Sequence, residues 1–118
     1  MSIEMDDVYK REALILAIRR GYDHSCEAHK LIFKEDVEIS IALAYLNSAI
    51  SSMNSAMAIY TCIDFKLREF EDIFHKFKVF SDEFLDSCAT NHSRQWTDIE
   101  FTQFKEAYEN SIVPGYPL

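Results

Sequence analysis

Glycine and proline are nearly missing from this chain. It has two of each in 118 residues, and both prolines, Pro114 and Pro117, fall in the last five positions. With so little turn punctuation, the chain is expected to be mostly helix with short connections. A glycine-rich phosphate loop is excluded, because Gly21 and Gly115 stand far apart. Cysteine is sparse as well. Cys26, Cys62 and Cys88 are odd in number and fall one per expected helix, which is no disulfide framework. They are read as reduced and partly buried. No basic-then-apolar leader opens the chain. Glu4, Asp6 and Asp7 stand there instead, so a cytoplasmic location is expected. Positive charge is also short, with 12 Lys and Arg against 20 Asp and Glu and a net charge of −8. Such a surface repels phosphate backbones, so nucleic acid is not an expected partner, whereas a basic protein would suit it.

What is present is enough for a core. An apolar content of 48% over 118 residues fits one folded domain, residues 1–118, that needs no staples. The fold class expected is all-α, a four-helix bundle with helices near 5–34, 37–61, 64–88 and 97–111, and helix 2 central. In helix 1, Met5, Val8, Ile15, Ile18, Tyr22, Cys26 and Ile32 recur near helical spacing. Gly21 in its middle points to a close helix crossing or a kink. In helix 3, Leu67, Phe70, Phe74, Phe77 and Phe84 form a stripe flanked by Ile73 and Phe80; such spacing reads as core packing, with a groove for an apolar ligand or peptide as the alternative. An unbroken helix over 37–88 would reach about 78 Å, too long for a compact chain of this size. A break is therefore expected near 61–65, with Thr61 and Asp64 as a capping box, and a second is possible at Ser81–Asp82. Residues 89–96 read as a loop. Thr97 with Glu100 then reads as a capping box, and Trp96 with Phe101 as a hydrophobic staple. Phe101, Phe104 and Tyr108 give helix 4 its buried stripe, and 113–118 read as a non-helical tail.

Helix 2 is the informative segment. Asp36 is its expected N-cap. From Ile39 to Ile63 there is no charged residue in a chain that is 27% charged. Ile39, Ala42, Leu46, Ala49, Met53, Ala56, Tyr60 and Ile63 alternate steps of three and four, a heptad seam with alanine at alternate positions. Leu43, Ile50 and Met57 widen it. The opposite face carries Asn47, Ser48, Ser51, Ser52, Asn54 and Ser55. Those polar groups are too many for a membrane span. A solvated helix face normally holds Glu, Lys or Arg, so this one is expected to be covered. The expected cover is helix 1 or helix 4 of the same chain, with a second subunit or another protein as the alternative.

Groupings that could carry chemistry are few. His24, Cys26 and His29 lie close in sequence, and Cys62, His75 or Cys88 could complete a zinc set, but the spacing matches no standard finger. Asp72-x-x-His75 is one imperfect copy of the two Glu-x-x-His motifs a di-iron bundle needs. No Ser–His–Asp set has a recognisable local context. Arg19-Arg20-Gly21-Tyr22-Asp23-His24 resembles the Arg-x4-His motif of HEPN ribonucleases, which are small helical bundles. The resemblance implies that Arg19 would stabilise phosphate charge and His24 would move protons on RNA. In that family the motif lies late in the domain, and here it stands in helix 1.

The reading that follows is a non-enzymatic interaction protein that forms a homodimer through an uncharged helix 2 face of Asn47, Ser48, Ser51, Ser52 and Ser55. No catalytic residue, metal, cofactor or membrane is expected. The alternatives are an acidic immunity protein or antitoxin masking a basic toxin or nuclease, and an HEPN-like ribonuclease.

Overall fold

The structure, a computed structural model, describes residues 3–34, 38–90 and 93–118. Four helices follow one another: α1 (Ile3–Ile32), α2 (Ile39–Tyr60), α3 (Arg68–Thr90) and α4 (Gln95–Glu109). Neighbours in sequence run antiparallel. Gly21 of α1 lies against Met53 of α2, Tyr60 of α2 against Phe70 and Phe74 of α3, and Phe80 of α3 against Phe101 of α4. Helix α4 closes the ring by packing on α1, while the backbones of the diagonal pairs stay apart. The result is an up-down-up-down bundle of 52 × 22 × 22 Å.

Two different interiors hold it together. Between α1 and α2 the side chains are small, so the helices pack closely. Of the seam read from the sequence, Ala42, Leu46, Ala49, Met53, Ala56 and Ile63 are buried and Tyr60 is half-buried. Between α3 and α4 the filling is aromatic. Phe70, Phe77, Phe80, Phe84 and Phe104 are buried, and Phe77, Phe80, Phe101 and Phe104 meet one another mostly edge-on, the geometry aromatic quadrupoles favour. Terminal charges suit the helix dipoles, with His29 and Lys30 in the last turn of α1 and Glu69 and Glu71 in the first turn of α3.

Several local expectations are corrected. Helix α3 runs unbroken through Ser81 and Asp82 to Thr90. Ser81 lies within it, its hydroxyl donating to the carbonyl of Lys78. Thr61 is the C-cap of α2, and its hydroxyl donates back to Ala58; it does not cap α3. The connection over 61–67 is instead held by cations on rings, Arg11 over Phe65 at 4.5 Å and Lys66 over Tyr60 at 4.1 Å. The Thr97–Glu100 box and the Trp96–Phe101 staple are absent. Helix α4 begins two residues earlier, with Arg94 as its N-cap and the Gln95 N–H donating to Ser93 Oγ at 3.2 Å. Thr97 is thereby carried inside the bundle and Trp96 is left 60% exposed. Val8 and Ile39 are exposed rather than core. Asp36, the expected cap of α2, lies outside the described residues.

The tail wraps the bundle. Val113 is buried, and Arg19 reaches from α1 to donate to the carbonyls of Val113 and Tyr116. Glu69 accepts the Ile112 N–H from the α3 side.

Candidate functional site

The heptad seam turns one side of α2 inward, and the placement of the other helices leaves the opposite side open. Asn47, Ser48, Ser51 and Ser55 are exposed and Ser52 is half-buried. The expectation that helix 1 or helix 4 covers this face is therefore overturned, as is a helix 2 hidden on most sides. Among the described residues, the helices that pack on α2 are α1 and α3. Its outward residues include a second seam at steps of four and three, Ala44, Ser48, Ser51, Ser55 and Ala58, all exposed. Ile41 and Tyr45, 47% and 37% exposed, stand beside its N-terminal half. No group on this helix carries charge, and its 22 residues span about 33 Å.

On one flank this face continues into a groove of about 490 Å³ between α2 and α3. Ile50, Met57, Phe74, Phe77 and Leu85 make its apolar part, and Asn54, His75, Lys78, Ser81 and Asp82 its polar part. Lys78 and Asp82 are paired at 2.9 Å along one helix face, with side chains 73% and 61% exposed. The Phe stripe of helix 3, read as core packing with an apolar groove as the alternative, is buried, and two of its members, Phe74 and Phe77, also line this groove.

The residues considered for chemistry are engaged elsewhere. Arg19 holds the tail through backbone carbonyls. The His24 ring lies 6.2 Å from Tyr45 of α2. The Arg-x4-His pair thus faces two different neighbours and forms no shared site. His29 Nε2 is 2.9 Å from Asp98 Oδ1, and its ring stacks on Phe101 at 4.0 Å. Cys26 is half-buried beside Tyr22, and burial pushes its thiol up from the ordinary range. Asp72 and His75 are both exposed. Among the described residues no three His, Cys, Asp or Glu side chains are placed to hold a metal. No helix of the described residues is long and apolar enough to cross a membrane. No protein-family model, curated protein or solved structure matches this chain.

Proposed function

We propose that the protein is a non-enzymatic interaction protein that pairs with a second copy through the uncharged face of α2. The observation that carries this reading is that Asn47, Ser48, Ser51 and Ser55 stand open to water on a helix without a single charge. A net charge of −8 on each copy opposes association over most of the surface. On this face two copies meet without like-charge repulsion, and its small side chains let helices approach to about 8–10 Å. A dyad would make the contact isologous. The cytoplasm fits this reading, since it would keep three free thiols reduced.

Sedimentation equilibrium and native mass spectrometry test it. The expected species is a dimer, converted to monomer by Ser51→Glu or Ser55→Glu with the helical circular dichroism unchanged. If both variants remain dimeric, the contact lies on another surface; a monomeric parent sinks the reading.

A second reading, an acidic inhibitor of a basic toxin or nuclease, draws on the net charge and on exposed carboxylates such as Glu71 and Asp72 of α3. Its complex would form fast and weaken steeply with salt. A salt-independent complex counts against it.

A further inference from the structure

We infer that the groove between α2 and α3 seats one medium-chain fatty acid, with its hydrocarbon tail along Phe74 and Phe77 and its carboxylate on Lys78. This site is separate from the α2 pairing proposed above and does not depend on it.

The groove exists because the bundle packs unevenly. The backbones of α1 and α2 lie close, whereas those of α2 and α3 stand mostly apart. The Tyr60 ring meets those of Phe70 and Phe74 at 5.7 and 5.6 Å. Beyond that contact a space of about 490 Å³ stays open between the helices. Small-molecule sites have volumes of about 300–1,000 Å³ and often lie between the helices of a bundle.

Shape selects the occupant. From Phe74 to Leu85 the α3 wall runs about 16 Å. A volume of about 490 Å³ over that length leaves a cross-section of roughly 30 Å². An α-helix with its side chains is about 10–12 Å across, a section of roughly 80–110 Å², so a partner helix is too thick to enter. An extended peptide is slimmer. Both walls are helices, however, whose backbone groups are bonded within the helix, so the peptide's amides and carbonyls would find no partners there. A hydrocarbon chain has no such groups to satisfy. At about 1.3 Å per carbon, a chain of roughly ten to twelve carbons spans the groove. The floor suits it. Phe74 and Phe77 are buried, and Ile50 and Met57 are half-buried beside them. The Ser81 hydroxyl, 5% exposed, already donates to the Lys78 carbonyl, so it leaves no unmatched donor under the tail.

Charge selects the head. The chain holds 20 acids against 12 Lys and Arg, but this groove is lined by two basic side chains, His75 and Lys78, and one acid, Asp82. The local balance is thus opposite to that of the whole surface. His75 and Lys78 stand three residues apart on α3, so both reach one point on the rim. Lys78 is bonded to Asp82 in an exposed pair. Such pairs contribute little, and with the base first in sequence this one has the weaker order on a helix. Lys78 therefore turns readily to a ligand carboxylate. The head then sits at the His75 end, the tail runs toward Ile50 and Leu85, and Asp82 stays in water.

Calorimetric titration of the full chain, with each ligand below its micelle concentration, is the test. Octanoate, decanoate and dodecanoate are expected to bind one per chain, each two carbons tightening the complex about four- to fifteenfold. Tetradecanoate, longer than the groove, is expected to gain little further. Lys78→Gln is expected to weaken decanoate about tenfold and to leave decanol unchanged, because the alcohol has no charge to lose. Decylammonium is expected to bind at least about tenfold more weakly than decanoate. Nuclear Overhauser contacts from the decanoate chain to the Phe74 ring and the Met57 methyl are expected without any variant. The absence of saturable binding, or of those contacts, overturns the site. Decylammonium bound as tightly as decanoate, or decanoate indifferent to Lys78→Gln, overturns the fatty acid as its occupant.

Discussion

Gly21 and Met53 meet where α1 crosses α2. A Cβ on Gly21 would stand 2.5 Å from Sδ and 2.6 Å from Cγ of Met53, and 3.6 Å from the carbonyl oxygen of Ala49. Met53 is fully buried, so its thioether has little room to swing aside. Gly21→Ala gains about 1 kcal/mol of helix propensity but crowds a packed crossing, which costs about 1–3 kcal/mol. A net loss of about 1 kcal/mol is expected in urea unfolding. Gly21→Ala combined with Met53→Ala should lose less than the sum of the single changes, because the crowding is then relieved. Additive losses would mean that Met53 is not what the new methyl meets.

Arg19 ties the tail to α1 with a fork of two nitrogens on the Val113 carbonyl, at 3.1 and 2.9 Å. Hydrogen bonds from a charged donor contribute about 1.5–3 kcal/mol. Arg19→Ala is expected to lower stability by that order, about 2 kcal/mol, and to speed amide exchange and proteolysis beyond residue 110. Arg19→Lys should not rescue it, since an ammonium lacks the fork. A tail that stays protected in Arg19→Ala would show that Val113 anchors it by burial alone.

Thr97 is wholly buried and its Oγ1 has no hydrogen-bond partner. An unmatched buried hydroxyl costs about 1–3 kcal/mol. Thr97→Val keeps the shape and removes the polar atom. It is expected to raise stability by on the order of 1 kcal/mol, about 4 °C in Tm for a domain of this size. A loss of stability would reveal a partner for the hydroxyl.

Three phenols are held in their neutral form. Tyr22 is raised well above the ordinary tyrosine range, chiefly by burial and then by its contact with Cys26. Tyr108 is raised by burial and by Asp23, and Tyr60 by burial and by Glu71. Each folded pKa lies above its unfolded value. The folded state therefore holds these protons more tightly, and the contribution is complete below the ordinary tyrosine pKa of about 10. Above that the unfolded chain ionises first and stability falls with rising pH. Urea midpoints measured from pH 8 to pH 11 should drop at the alkaline end, and Tyr22→Phe with Tyr108→Phe should flatten the drop. An unchanged slope in the double variant would assign the alkaline loss to other groups.

Much of this fold was legible in the residue order. The three-and-four spacing from Ala42 to Ala56 names five residues that are all buried, and the Phe stripe of α3 is core as its spacing implies. Gly21, read as a close crossing or a kink, stands at a crossing. The helix ends were less legible. Thr97 followed by Glu100 matches a capping box in letters, but the helix starts at Gln95 and carries Thr97 inward, where its hydroxyl caps nothing. Tail docking was equally hidden, because it depends on an arginine 94 positions away.

The sequence alone determined that this chain is helical, that α2 has one apolar seam, and that its remaining face is uncharged. Those properties are local, set by helix periodicity and by the scarcity of glycine and proline. Which side of α2 meets water was decided only by the tertiary structure. A face of serine, asparagine and alanine fits equally well against a neighbouring helix or at a surface, since it carries neither the apolar area that demands burial nor the charge that forbids it. The choice fell to other segments. The aromatic filling of α3 and α4 brought α4 against α1 rather than over α2, and the small outward residues from Ala44 to Ala58 were left open.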